Sequence, residues 1–138
     1  MTDRDRIFVD IVTPDKEVFR AMVESLNVPT ACGMTGILAN HAPLLTVVTT
    51  GILEYKSTNK TGKIAVGNGF MEVKDNEALI LVQCAEMAED IDEARAKAAL
   101  ERAKQRLEAQ EANLDKARAE AALARAVARL KAIGKYDY

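Results

Sequence analysis

The sequence predicts an α+β chain of two domains, a β-sandwich over residues 1–87 followed by an α-helical hairpin over residues 88–138. Three observations predict it. Six of the seven glycines and all three prolines lie before residue 87, and from 87 to 133 there is neither, while Ala, Glu, Lys and Arg dominate. Turn signals recur about every ten residues before that break, with no helix-length crossover between them, which favours a sandwich over a parallel sheet. After the break, residues 92–106 (DEARAKAALERAKQR) and 115–129 (DKARAEAALARAVAR) match at ten of 15 positions, at an offset of 23. Alanine matches are cheap in such sequence, so the Asp, Leu and Arg matches carry the signal of a helix used twice.

In the first domain, Ile7, Val9 and Ile11 alternate with Phe8, Asp10 and Val12, the period of a strand. Thr13-Pro14-Asp15 ends it, because proline presets a turn dihedral and Asp bonds its own backbone. Residues 33–46 are expected to form a tight, glycine-permitted loop holding His41, the one histidine. A catalytic base would need a nucleophile or acid partner, and no motif supplies one; the other reading is a histidine that caps a turn or meets a partner. Further on, Asn59-Lys60-Thr61-Gly62 is expected to be a hairpin loop between 52–55 and 63–66, and Lys74-Asp75-Asn76 one between 70–73 and 78–82. Lys60-Thr61-Gly62-Lys63 lacks phosphate-loop spacing, and no metal-ligand spacing appears.

In the second domain, Asp90 is expected to cap helix one, with Glu93 reaching back as a capping box. The repeat makes Asn113 its equivalent, with a hinge near 111–113 and helix two starting about Leu114. Ala96, Leu100, Ala103, Leu107 and Leu114 share one face of helix one; Leu123, Ala126, Val127 and Leu130 do so on helix two. Matching stripes and a short joint read as an αα-hairpin.

A net charge of −2 excludes a nucleic-acid partner held by bulk electrostatics. Cys32 and Cys84 form no motif and read as small buried hydrophobes of a reducing compartment. With no 18-residue apolar run and no signal pattern, a soluble chain is expected, with no direct membrane insertion.

Arg95, Arg102 and Arg106 fall in a stripe about 40° wide at 100° per residue, bordering the apolar face, and Arg118, Arg125 and Arg129 repeat it. In an antiparallel pair these borders meet, placing Arg102 level with Arg125 and Arg95 near Arg129. Charged helix faces are usually neutralised one turn away. Here Arg102 has Ala98, Ala99, Gln105 and Arg106 at those positions, and Arg125 has Ala121, Ala122, Ala128 and Arg129. Only Arg95 and Arg118 have an acid, Asp92 and Asp115. Aligned like charges destabilise such an edge by a few tenths of a kcal/mol per pair. A bridging phosphate would reverse the sign, since guanidinium forks match its oxygens; acidic groups on another protein would do the same.

The blocks Gly33-Met34-Thr35-Gly36-Ile37-Leu38, His41-Ala42-Pro43-Leu44-Leu45-Thr46, Gly51-Ile52-Leu53, Gly67-Asn68-Gly69-Phe70-Met71-Glu72-Val73 and Asp90-Ile91-Asp92-Glu93-Ala94-Arg95-Ala96 occur in this order. Over nearly the whole chain they resemble the ε subunit of the F-type ATP synthase. The resemblance implies a ten-stranded sandwich and a two-helix regulatory domain, on the central stalk, bound to the γ subunit and the c-subunit ring. It implies a non-catalytic rotor subunit coupling proton translocation to ATP synthesis, peripheral on the cytoplasmic face of the inner (plasma) membrane. The helices are expected to extend along γ to the catalytic α and β subunits and restrain ATP hydrolysis. No cofactor is required, but ATP is implied as a regulatory ligand through an (I/L)DxxRA motif matched by Ile91, Asp92, Arg95 and Ala96, with Glu86, Arg102, Arg125 and Arg129 as further ligands. Met34, Asn40 and His41 are the rotor-interface residues so implied. The alternative is a free-standing adenine-nucleotide-sensing scaffold of the same fold; the rotor reading would show in co-purification with a membrane-bound ATPase.

Overall fold

The computed structural model describes residues 5–109 and 115–136. Ten strands come first: β1 Ile7–Val12, β2 Glu17–Val23, β3 Ser25–Thr30, β4 Gly33–Leu38, β5 Leu44–Val48, β6 Gly51–Ser57, β7 Lys60–Val66, β8 Gly69–Lys74, β9 Glu77–Val82 and β10 Ala85–Met87. A single 3₁₀ turn, Ala88–Asp90, leads into helices α1, Glu93–Ala109, and α2, Lys116–Ala132. One layer of the sandwich runs β10-β7-β6-β3-β4 and the other β5-β8-β9-β1-β2, joined where Thr30 pairs with Val48. All pairings are antiparallel except β1 with β9.

Alternation decides which residues fill the space between the layers. β1 buries Ile7, Val9 and Ile11, and β9 buries Ala78, Ile80 and Val82. Leu26, Val28, Ile37, Leu53, Ile64 and Met71 complete the core. Each large aliphatic side chain removed from water there stabilises the fold by about 1.5–3 kcal/mol.

Two expected loops are strand. Residues 33–38 form β4, paired along β3 from Thr30↔Gly33 to Ser25↔Leu38. Of the two glycines in β4 only Gly33, with φ 102°, uses its conformational freedom, to leave the Ala31–Cys32 turn. Likewise Lys60, Thr61 and Gly62 belong to β7, so the β6–β7 turn is residues 58–59 alone. Gly62 is there because the Tyr55 ring lies across it: a Cβ would fall 2.3 Å from that ring. The β8–β9 turn is Asp75 and Asn76, both at positive φ (51° and 61°), the short hairpin turn these residues favour. Cys32, expected to be buried, is exposed in the β3–β4 turn, and Cys84 is only half-buried.

The helix caps lie two residues later than the sequence suggests. Asp92, not Asp90, accepts from Arg95 N at 3.1 Å, while Asp90 is spent in the 3₁₀ turn. Asp115 accepts from Arg118 N at 3.0 Å and caps α2. Asn113, Leu114 and the hinge at 111–113 lie outside the described residues. At the far end of α2, Gly134 at φ 72° lets Lys135 N reach Leu130 O (2.8 Å) and its own N reach Lys131 O (3.1 Å), a Schellman closure.

The hairpin lies on β6 and β7 through α2, and α1 packs on α2. α2 is therefore buried on two sides. Ala126 and Leu130 are buried as expected, with Leu123 and Val127 half-buried. Ala128 and Ala132 are buried too, against Ala65, Ile52, Ala88 and Ile91 of the sandwich and junction.

Candidate functional site

β10 carries Glu86 out of the sandwich beside α2, and the 3₁₀ turn then swings the chain so that Ile91 is half-buried against the Ala65–Ala128–Ala132 cluster. Asp92 caps α1 immediately afterwards. Ala96, one turn in, is buried to 2% exposure. Arg95 and Arg102 stand two turns apart on the same side of α1, and both are exposed at the rim.

These residues enclose a cavity of about 280 Å³ lined by Glu86, Asp90, Ile91, Asp92, Arg95, Ala96, Ala98, Ala99, Arg102 and Arg129. Seven of the eight residues expected as ATP ligands thus meet around one space. Arg125 is the exception. It lines a neighbouring cavity of about 180 Å³ with Lys16, Ala65, Val66, Cys84, Ala85, Glu86, Ala128 and Arg129. The reason is the roll of α2: positions 125, 128, 129 and 132 form the stripe it turns toward the sandwich. Arg102 therefore shares its cavity with Arg129 rather than with Arg125.

Glu86 and Arg129 form the wall between the two spaces, with Arg129 Nε donating to Glu86 Oε1 at 3.1 Å. This pair, 43 residues apart, ties the last strand to α2 and neutralises one of the edge arginines. Among the described residues no carboxylate pairs with the guanidinium of Arg95, Arg102 or Arg125. Asp92 and Asp115 spend their carboxylates on backbone N–H groups. Glu93 faces Lys97 at 2.9 Å, and the ammonium holds its carboxyl below the usual range.

The three residues expected at the rotor interface do not come together. Met34 is 55% exposed at the start of β4 beside the β3–β4 turn. Asn40 and His41 follow the other end of that strand, about 13 Å or more away at roughly 3.3 Å per residue. Asn40, at φ 61°, donates its N–H to Asn76 Oδ1 at 2.8 Å, and Asn76 Nδ2 donates to Arg6 O at 2.9 Å, so the corner is fixed by the β8–β9 turn. The His41 ring donates from Nδ1 to the carbonyl of the adjacent Ala42 at 2.6 Å.

A further surface escaped the sequence reading. The outer face of β5-β8-β9 aligns Val47, Phe70 and Leu81 in one row and Leu45, Glu72 and Leu79 in the next. Leu45 is 71% exposed and Phe70 58%, with Val47, Leu79 and Leu81 also exposed. The signal was the unbroken apolar run Ala78-Leu79-Ile80-Leu81-Val82, which marks a strand covered on both faces. Among the described residues no helix is long and apolar enough to cross a membrane.

Comparison with known proteins places both halves of the chain. Residues 6–88 match the family described as ATP synthase, Delta/Epsilon chain, beta-sandwich domain. Residues 89–134 match ATP synthase, Delta/Epsilon chain, long alpha-helix domain. The chain is 48% identical over 99 residues to an ATP synthase epsilon chain of Pelotomaculum thermopropionicum, covering 72% of this chain and 74% of that one. It is 46% identical over 103 residues to that of Carboxydothermus hydrogenoformans, covering 75% and 77%. A chain of the Euglena gracilis mitochondrial ATP synthase (OSCP/F1/c-ring) shares the fold at a TM-score of 0.75, with 24% identity, covering 87% of this chain and 76% of that one. A chain of the central stalk/c-ring of the Tetrahymena thermophila enzyme does so at 0.58, with 20% identity, covering 96% and 99%.

Proposed function

The chain belongs to the delta/epsilon chain family of ATP synthase, and on that footing we propose that it is a non-catalytic rotor subunit of the central stalk, coupling proton translocation to ATP synthesis. The observation that carries this is the exposed apolar face of β5-β8-β9. Five large apolar side chains on one sheet face are a surface that a partner covers. We assign that face to the γ subunit, which the neighbouring Asn40–His41 corner also meets. The opposite end of the sandwich, with Met34, faces the c-subunit ring. The chain is then peripheral, on the cytoplasmic face of the inner membrane, held there by its partners. The test is affinity purification of the tagged chain from membranes. Recovery of γ and c subunits is the expected result; recovery of the chain alone would favour a free-standing scaffold.

The hairpin adds regulation. ATP is proposed to occupy the cavity at Ile91, Asp92, Arg95 and Ala96, with Glu86, Arg102, Arg125 and Arg129 as further ligands. Supporting this are the guanidiniums of Arg95, Arg102 and Arg125, which have no carboxylate among the described residues. Phosphate binding holds the hairpin compact. When it opens, the helices reach the catalytic α and β subunits and restrain hydrolysis.

A further inference from the structure

We propose that Lys16 and Arg125 form a distinct subsite for the terminal phosphate of a nucleoside triphosphate, so that the bound ligand ties the sandwich itself to α2; this rests on the reading of the hairpin as a nucleotide site. The two cavities differ in charge. The one beside Asp92 has three carboxylates (Glu86, Asp90, Asp92) against three guanidiniums (Arg95, Arg102, Arg129). The one beneath α2 has three cations, Lys16, Arg125 and Arg129, against Glu86 alone. That carboxylate is already paired with Arg129. The balanced space suits the nearly neutral adenosine end of a nucleotide, and the cationic one suits its polyanionic end.

Size points the same way. At about 280 Å³ the first cavity falls just short of the roughly 300 Å³ at which small-ligand sites begin, and joined to its neighbour of about 180 Å³ it enters that range. Glu86 and Arg129 line both spaces, and a phosphate held between them gives Arg129 a second acceptor.

Lys16 is presented by a set piece of backbone. Thr13 N donates to Lys16 O at 2.9 Å, Thr13 Oγ1 donates to the same oxygen at 3.1 Å, and Lys16 N donates to Thr13 Oγ1 at 3.2 Å. The β1–β2 turn is thereby closed with the lysine at its end, and among the described residues no carboxylate pairs with its ammonium. A phosphate held between Lys16 and Arg125 reports the third phosphate, and so separates a triphosphate from a diphosphate.

Calorimetric titration of the full chain with ATP and with ADP tests this, comparing wild type, Lys16→Gln, and Lys60→Gln as an exposed lysine outside both cavities. Lys16→Gln is expected to weaken ATP about tenfold, the scale of one charge-assisted contact, and ADP by less than about twofold. Wild-type ATP affinity in Lys16→Gln, or equal losses for ATP and ADP, would overturn the subsite while leaving the nucleotide reading intact. If wild type takes up no ATP, the nucleotide reading fails and inorganic pyrophosphate decides the subsite alone. Pyrophosphate binding by wild type that Lys16→Gln loses supports an anion site, and none in wild type overturns it.

Discussion

Arg102 and Arg125 are cations with no carboxylate one helical turn away, and among the described residues no carboxylate pairs with either guanidinium. Each is expected to contribute one charge-assisted contact to bound ATP, so Arg102→Ala and Arg125→Ala should each weaken binding by about 1.5–3 kcal/mol, roughly tenfold to a hundredfold. Arg118 is exposed and lines neither cavity, so Arg118→Ala should leave affinity within about twofold in the same titration. These positions were legible because helical spacing fixes which side chains share a side. Which cavity each arginine enters was not legible, because that depends on the roll of α2 against the sheet. Glu86 is a further case: no local pattern marks it, and it pairs with Arg129 across 43 residues. Only the family resemblance named it. Lys16 had neither signal.

At the scale of elements, the 23-residue repeat located both helices and missed both caps by two residues. Asp90-Ile91-Asp92 offers two candidate caps, and the choice between them is made by the 3₁₀ turn that consumes the first. Asp92→Ala and Asp115→Ala should each cost about 1 kcal/mol in chemical denaturation, whereas Asp90→Ala should cost a few tenths at most. The strands at residues 33–38 and 60–62 were read as loops because glycine usually marks turns. In β4 only Gly33 serves that purpose, and in β7 Gly62 makes room for a ring. Gly69 is the sharper instance. A Cβ there would lie 1.9 Å from the Leu81 carbonyl oxygen, a backbone atom that cannot step aside, so Gly69→Ala should lower stability by about 3 kcal/mol or more.

For the whole molecule, the composition break at residue 87 separates a sandwich with its own core from a hairpin that covers one side of it. Cutting after Ala88 uncovers Ile52 and Ala65 but removes nothing from the space between the layers. The truncated chain should fold and assemble, and ATP hydrolysis by the isolated complex should rise; unchanged hydrolysis would mean that these helices are not its brake. The sandwich and the hairpin were both legible from turn spacing and helical period. The outer apolar face was not, since a period-2 reading assumes water on one side and β9 has apolar residues on both. That face is also where the rotor assignment is most exposed to experiment. The direct measurement is the affinity of the full chain for isolated γ subunit, with Phe70→Glu compared with Met34→Glu, a similarly exposed apolar position on the other layer, at the end assigned to the c-subunit ring. Phe70→Glu should weaken γ binding by about thirtyfold or more, as loss of a central apolar anchor does, and Met34→Glu should not. Wild-type affinity in Phe70→Glu would contradict the assignment.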